Sequence, residues 1–138
     1  MLKVVDVMTA DPLSLGLSDT IGQAEEMMYE YRIRQLPVVE GSELIGIITD
    51  RDIRSFLSGR LFSTPEEREA ALNTNIGAVM STAPITVSPD DDLRDAVELL
   101  IEEKIGAIPV VEEEKGLVGI VTHVDVLRRF LNILEEER

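Results

Sequence analysis

The chain has 138 residues, 44% of them apolar and 29% charged, with a formal net charge of −14. That length makes one ordinary domain or two small halves sharing a core, and the composition is that of a globular chain rather than a disordered one. Without a single Cys there is no disulfide framework and no thiolate metal site, and so acidic a field repels polyanions, which argues against a general nucleic-acid binder.

In chain order, Val7-Met-Thr leads into Pro12 and a short extended piece, Leu13-Ser14-Leu15. A helix is expected from Ser18-Asp19, with Ile21, Ala24, Met27, Met28 and Tyr31 at helical spacing and the two Met residues as core filler. Two apolar strands follow, Leu36-Pro37-Val38-Val39 and Leu44-Ile-Gly46-Ile-Ile, joined by the polar turn Glu40-Gly-Ser-Glu as a hairpin. Pro37 cannot donate to a ladder, so it belongs at a strand start or sheet edge. A helix over about 51–57 comes next. In the stretch 58–75, Thr64-Pro65-Glu-Glu67 opens a short helix running to about Leu72.

The same order then repeats. Val79-Met-Ser precedes Pro84 and the extended Ile85-Thr86-Val87, and Ser88-Pro89-Asp-Asp91 supplies an N-cap, a Pro at N1 and an acidic first turn for the next helix. Strands Ile108-Pro109-Val110-Val111 and Leu117-Val-Gly119-Ile-Val lead to a longer helix over about 124–134. Shifting 7–40 by 72 gives twelve identities, and shifting 44–53 by 73 gives five more, so seventeen of 44 aligned positions agree. The chain is a tandem duplication, with repeat 1 at 1–58, a linker at 59–76 and repeat 2 at 77–138.

Each copy ends its second strand on one phrase: Gly46-Ile-Ile-Thr49-Asp-Arg51-Asp52 and Gly119-Ile-Val-Thr122-His123-Val-Asp125. A strand feeding a helix presents first-turn N–H groups that can seat an anion, with the Thr hydroxyl and Asp carboxylate beside them. Thr-x-x-Asp is also a variant of the capping box, in which Thr49 or Thr122 caps an N3 amide and Asp52 or Asp125 reaches back. The pattern by itself leaves both roles open.

The ordered set V-M-[ST]-x-x-P, [LI]-P-V-V and G-I-[IV]-T-x-x-D, occurring twice, resembles a cystathionine-β-synthase (CBS) domain pair, also called a Bateman module, over almost the whole chain. The resemblance implies an α/β (α+β) fold of tandem β-α-β-β-α repeats related by pseudo-twofold symmetry. It implies a regulatory module that binds adenosine-containing ligands (AMP, ADP, ATP, or S-adenosylmethionine or NAD) in clefts between the halves. It also implies a homodimer formed through the helices. Carried onto this chain, Asp52 and Asp125 would accept from ribose hydroxyls and Thr49 and Thr122 would face the phosphates. Leu13, Ser14, Pro37 and Val38, and in the second copy Ile85, Thr86, Pro109 and Val110, would line two base pockets.

The copies differ in charge. Arg32, Arg34, Arg51 and Arg54 lie near the first phrase, while Lys104, Gly106 and Val124 stand at the places of Arg32, Arg34 and Arg51. Arg34 is a candidate phosphate clamp, since guanidinium grips phosphate bidentately, or else an exposed helix-end Arg. His123, the only His, sits where it could meet a phosphate or simply solvent. No catalytic or metal-ligating constellation is evident: one His, no Gly-rich phosphate loop, and acidic runs without calcium-loop spacing. The expectation is a non-enzymatic cytoplasmic sensor without a membrane span, acting on a regulated protein that this sequence does not identify. The alternative is a dimeric interaction scaffold with vestigial pockets.

Overall fold

The computed structural model describes residues 1–137; Arg138, assigned above to the second repeat, lies outside the described residues. The first elements are β1 (Thr9–Ala10), α1 (Ile21–Tyr31), β2 (Gln35–Glu40), β3 (Glu43–Thr49), α2 (Asp50–Ser58) and α3 (Pro65–Leu72). Then come β4 (Ser81–Thr82), α4 (Leu93–Glu102), β5 (Ala107–Glu112), β6 (Gly116–Thr122) and α5 (His123–Glu136). They make two compact units with one small antiparallel sheet each. Leu13–Ala83 is continuous, whereas Met1–Pro12 joins Pro84–Arg138 to make a split unit.

In the continuous unit the strand order is β2-β3-β4. The hairpin closes on Gly41-Ser42, with Gly41 at φ 64, a left-handed conformation that Gly adopts without steric cost. Pro37 lies in the edge strand, as its missing N–H requires. That edge is covered by a parallel bridge: Leu15 N–H donates to Pro37 C=O at 3.0 Å, and Val39 N–H donates to Leu15 C=O at 2.8 Å. Leu15, Ile21, Ala24, Met28, Leu36, Val38, Ile48, Ile53 and Ile76 form the core, with Met27 packed against it, so both Met residues fill space as expected. Helix α1 starts two residues later than Ser18-Asp19 suggested. Thr20 and Gln23 make the capping box, while Asp19 accepts from Gly16 N–H at 2.7 Å and closes the preceding turn.

The split unit has the order β1-β6-β5. Its hairpin needs one more residue, Glu113-Glu114-Lys115 before Gly116 at φ 77, and this accounts for the change of repeat offset from 72 to 73. Val87 bridges Val110 just as Leu15 bridges Val38. Val4 has no exposed surface and belongs to this unit's core with Val87, Leu93, Ala96, Leu100, Ile108, Val110 and Val121. Helix α4 departs from expectation. Ser88 and Pro89 form a turn, in which Ser88 N–H donates to Asp91 Oδ2 at 2.8 Å and Asp91 N–H to Ser88 C=O at 3.1 Å. The helix begins at Leu93, whose N–H is taken by Leu2 C=O at 2.9 Å, with Asp92 as the cap. The N-terminal residues therefore set where this helix starts.

Two short strands, β1 and β4, have no counterpart in the sequence reading. Their pairing explains the Gly of each phrase. A Cβ on Gly119 would sit 2.5 Å from Met8 Sδ and 3.0 Å from Thr9 C=O, and one on Gly46 would sit 2.6 Å from Met80 Sδ and 2.8 Å from Ser81 C=O. Only a residue without a side chain lets the crossing strand come that close.

Candidate functional site: two Thr-x-x-Asp junctions

In the continuous unit, β3 runs directly into α2, and Thr49 is the N-cap. Thr49 N–H donates to Asp52 Oδ2 at 2.9 Å, and Asp52 N–H donates to Thr49 Oγ1 at 3.1 Å. The split unit repeats the geometry: Thr122 N–H to Asp125 Oδ2 at 2.9 Å, Asp125 N–H to Thr122 Oγ1 at 3.1 Å. The capping box is thus formed in both copies. It does not use up either side chain, because a carboxylate offers two acceptor oxygens and a hydroxyl that accepts can still donate.

The first-turn amides are partly committed. Asp50 N–H donates to Arg34 C=O at 2.8 Å, and His123 N–H donates to Gly106 C=O at 3.1 Å. Among the described residues, Arg51 N–H and Val124 N–H are the first-turn amides that these bonds leave open to an anion. The bond to Asp50 also pins the Arg34 backbone against the start of α2. The Arg34 and Arg51 side chains are exposed, and so is that of His123. Among the described residues neither Arg34 nor Arg51 has an ion-pair partner, whereas Arg54 lies 3.5 Å from Asp50 one helical turn away. Arg34 also borders an open depression of about 510 Å³ with Met28, Tyr29, Glu30, Arg32 and Ile33, which includes neither Thr49 nor Asp52.

Each set of expected wall residues falls inside one unit. Leu13 and Ser14 lead into the Leu15 bridge beside Pro37 and Val38; Ile85 and Thr86 lead into the Val87 bridge beside Pro109 and Val110. Pro37, Val38, Pro109 and Val110 are fully buried, and the Pro37 and Pro109 carbonyls accept from Leu15 and Val87 N–H at 3.0 and 3.2 Å. Leu13, Ile85 and Thr86 are exposed and Ser14 is half-buried.

Thr9 is not among the residues expected at either junction. Its Oγ1 donates to Asp125 Oδ1 at 2.9 Å, and among the described residues Asp125 is the one charged residue of the buried set, 8% exposed. The available signal was the hydroxyl that both copies place after Val-Met, Thr9 and Ser81.

The sequence matches the CBS domain family over residues 4–59 and 76–132. It is 34% identical over 128 residues to the CBS domain-containing protein YhcV of Bacillus subtilis, covering 91% of this chain and 84% of that one. Among solved structures, the Vibrio cholerae protein AcuB superposes with a TM-score of 0.85 at 33% identity, covering 100% of this chain and 98% of the other. CBSX2, whose structure holds AMP, superposes with a TM-score of 0.82 at 28% identity, covering 96% and 98%. The chain spans less than half the length of the first two curated relatives it matches, 45% and 43%.

Proposed function

The chain belongs to the CBS domain family, and on that premise we propose that it is a regulatory module that binds an adenosine-containing ligand, AMP, ADP, ATP or a related adenosyl compound, at its Thr-x-x-Asp junctions. The two repeats, 1–58 and 77–138 with the linker 59–76, serve as a ligand receptor and not as a catalyst. One observation carries it above the rest. At the start of α2 the Asp52 carboxylate, with one oxygen that no side chain bonds, follows directly on Arg51 and its open amide, and the Arg34 carbonyl is bonded to Asp50 N–H in the same turn; among the described residues neither arginine has an ion-pair partner. A carboxylate suits a sugar diol, and an amide with guanidinium groups suits phosphate. The similarity to CBSX2, which binds AMP, supports the choice of nucleotide.

Binding would act on a partner protein by favouring one conformation over another, since a ligand shifts an equilibrium only by its differential affinity. A homodimer fits one further observation: α5 leaves Val124, Leu127, Phe130, Leu131 and Leu134 exposed along one helix. The same observation favours the second reading, a dimeric interaction scaffold with vestigial pockets. Calorimetric titration with AMP, ADP, ATP, NAD and S-adenosylmethionine separates the two. The sensor takes up at least one of them, and Asp52→Ala weakens that uptake about tenfold or more, the worth of a hydrogen bond to a charged group. Uniform silence across the five leaves the scaffold.

A further inference from the structure

The two junctions differ by one hydrogen bond. In the split unit Asp125 Oδ2 takes Thr122 N–H, while Oδ1 takes the Thr9 hydroxyl, so both oxygens of a nearly buried carboxylate have donors. In the continuous unit Ser81 holds the place of Thr9: it stands opposite Ile47 in β3 as Thr9 stands opposite Ile120 in β6. Yet among the described residues no side-chain donor reaches Asp52 Oδ1, and Asp52 is only half-buried.

We propose that Thr9 decides which junction takes the nucleotide: its hydroxyl occupies Asp125, so that the first ribose goes to Asp52. This rests on the nucleotide reading above and adds the order in which the two seats fill. A vicinal diol needs free acceptor positions on the carboxylate. Asp52 offers a whole oxygen, whereas Asp125 offers one only after Thr9 has been displaced. Thr is stiff at χ1, so a strand-borne Thr holds its hydroxyl in place better than the unbranched Ser81 does. Breaking a hydrogen bond to a charged group before binding weakens the second seat about tenfold. The charges run the same way, because Arg34 and Arg51 stand by Asp52 while Gly106 and Val124 hold those places by Asp125.

The test is calorimetric titration of the full chain with AMP. The wild type takes up one AMP per chain in its tight phase, and Asp52→Ala weakens that phase at least tenfold. Thr9→Val, which removes the donor at nearly constant volume, brings a second AMP into the measurable range or tightens it about tenfold, and adding Asp125→Asn abolishes the gain. Thr9→Ala repeats the experiment should Val disturb β1, with folding checked by thermal melting. A tight phase that survives Asp52→Ala, or a folded Thr9 variant with unchanged second uptake, overturns the assignment while leaving nucleotide binding intact. A wild type silent toward AMP overturns the assignment, and silence toward ADP, ATP, NAD and S-adenosylmethionine as well overturns nucleotide binding too.

Discussion

At the scale of single residues, Thr49, Asp52, Thr122 and Asp125 serve the fold whether or not a ligand is present. Each Thr hydroxyl satisfies an N3 amide that water would otherwise have to serve, and each Asp carboxylate satisfies the N-cap amide. Thr49→Ala and Thr122→Ala are therefore each expected to lower stability by about 1 kcal/mol without ligand, read from urea unfolding midpoints at constant slope. The cap was legible in Thr-x-x-Asp because its partners are three residues apart. The Thr9–Asp125 bond was not, since it joins residues 116 positions apart and exists only once β1 has been laid on β6. Local spacing carries no information on such a contact.

At the scale of elements, the hairpins and the helices after each phrase were legible because alternation, turn residues and helical spacing are local signals. The helix starts were misjudged where two plausible caps lay close together. Ser88-Pro89 reads as a helix opening, but the backbone of Leu2 claims Leu93 N–H and moves the start four residues on. The two-residue strands β1 and β4 have too little pattern to see, yet they impose a demand the sequence does display, Gly46 and Gly119. Gly119→Ala would drive a Cβ into Met8 Sδ and the Thr9 carbonyl, one movable and one main chain. Overpacking of this kind costs about 1–3 kcal/mol. The expected result is a lower melting temperature for Gly119→Ala, together with loss of the Thr9 restraint on Asp125. The backbone keeps the duplication even where side chains diverge, since Arg32 and Lys104 both take φ 54 after their helices, and Asp11 and Ala83 both take positive φ.

At the scale of the whole molecule, the exposed apolar face of α5 is left uncovered, and among the described residues its Arg128, Arg129, Glu135 and Glu136 side chains have no ion-pair partner. Val124, Leu127, Leu131 and Leu134 recur at intervals of three and four, which lines them along one side of the helix, and Leu127 is 64% exposed. So contiguous a stripe on an exposed helix marks a contact surface. A second copy suits it because the helix carries Arg128 and Arg129 in its middle and Glu135, Glu136 and Glu137 toward its end. An antiparallel two-fold pairing with its axis near Asn132 sets Arg128 and Arg129 of each helix opposite the acidic end of the other, and a two-fold interface must be self-complementary in this way. Leu127→Glu with Leu131→Glu places two carboxylates within that contact, where an unpaired charge is poorly tolerated. Analytical ultracentrifugation is expected to show a dimer for the wild type and a folded monomer for the double variant. A wild type that sediments as a monomer at micromolar concentration would reserve this face for a different protein and remove the second copy from the regulatory scheme.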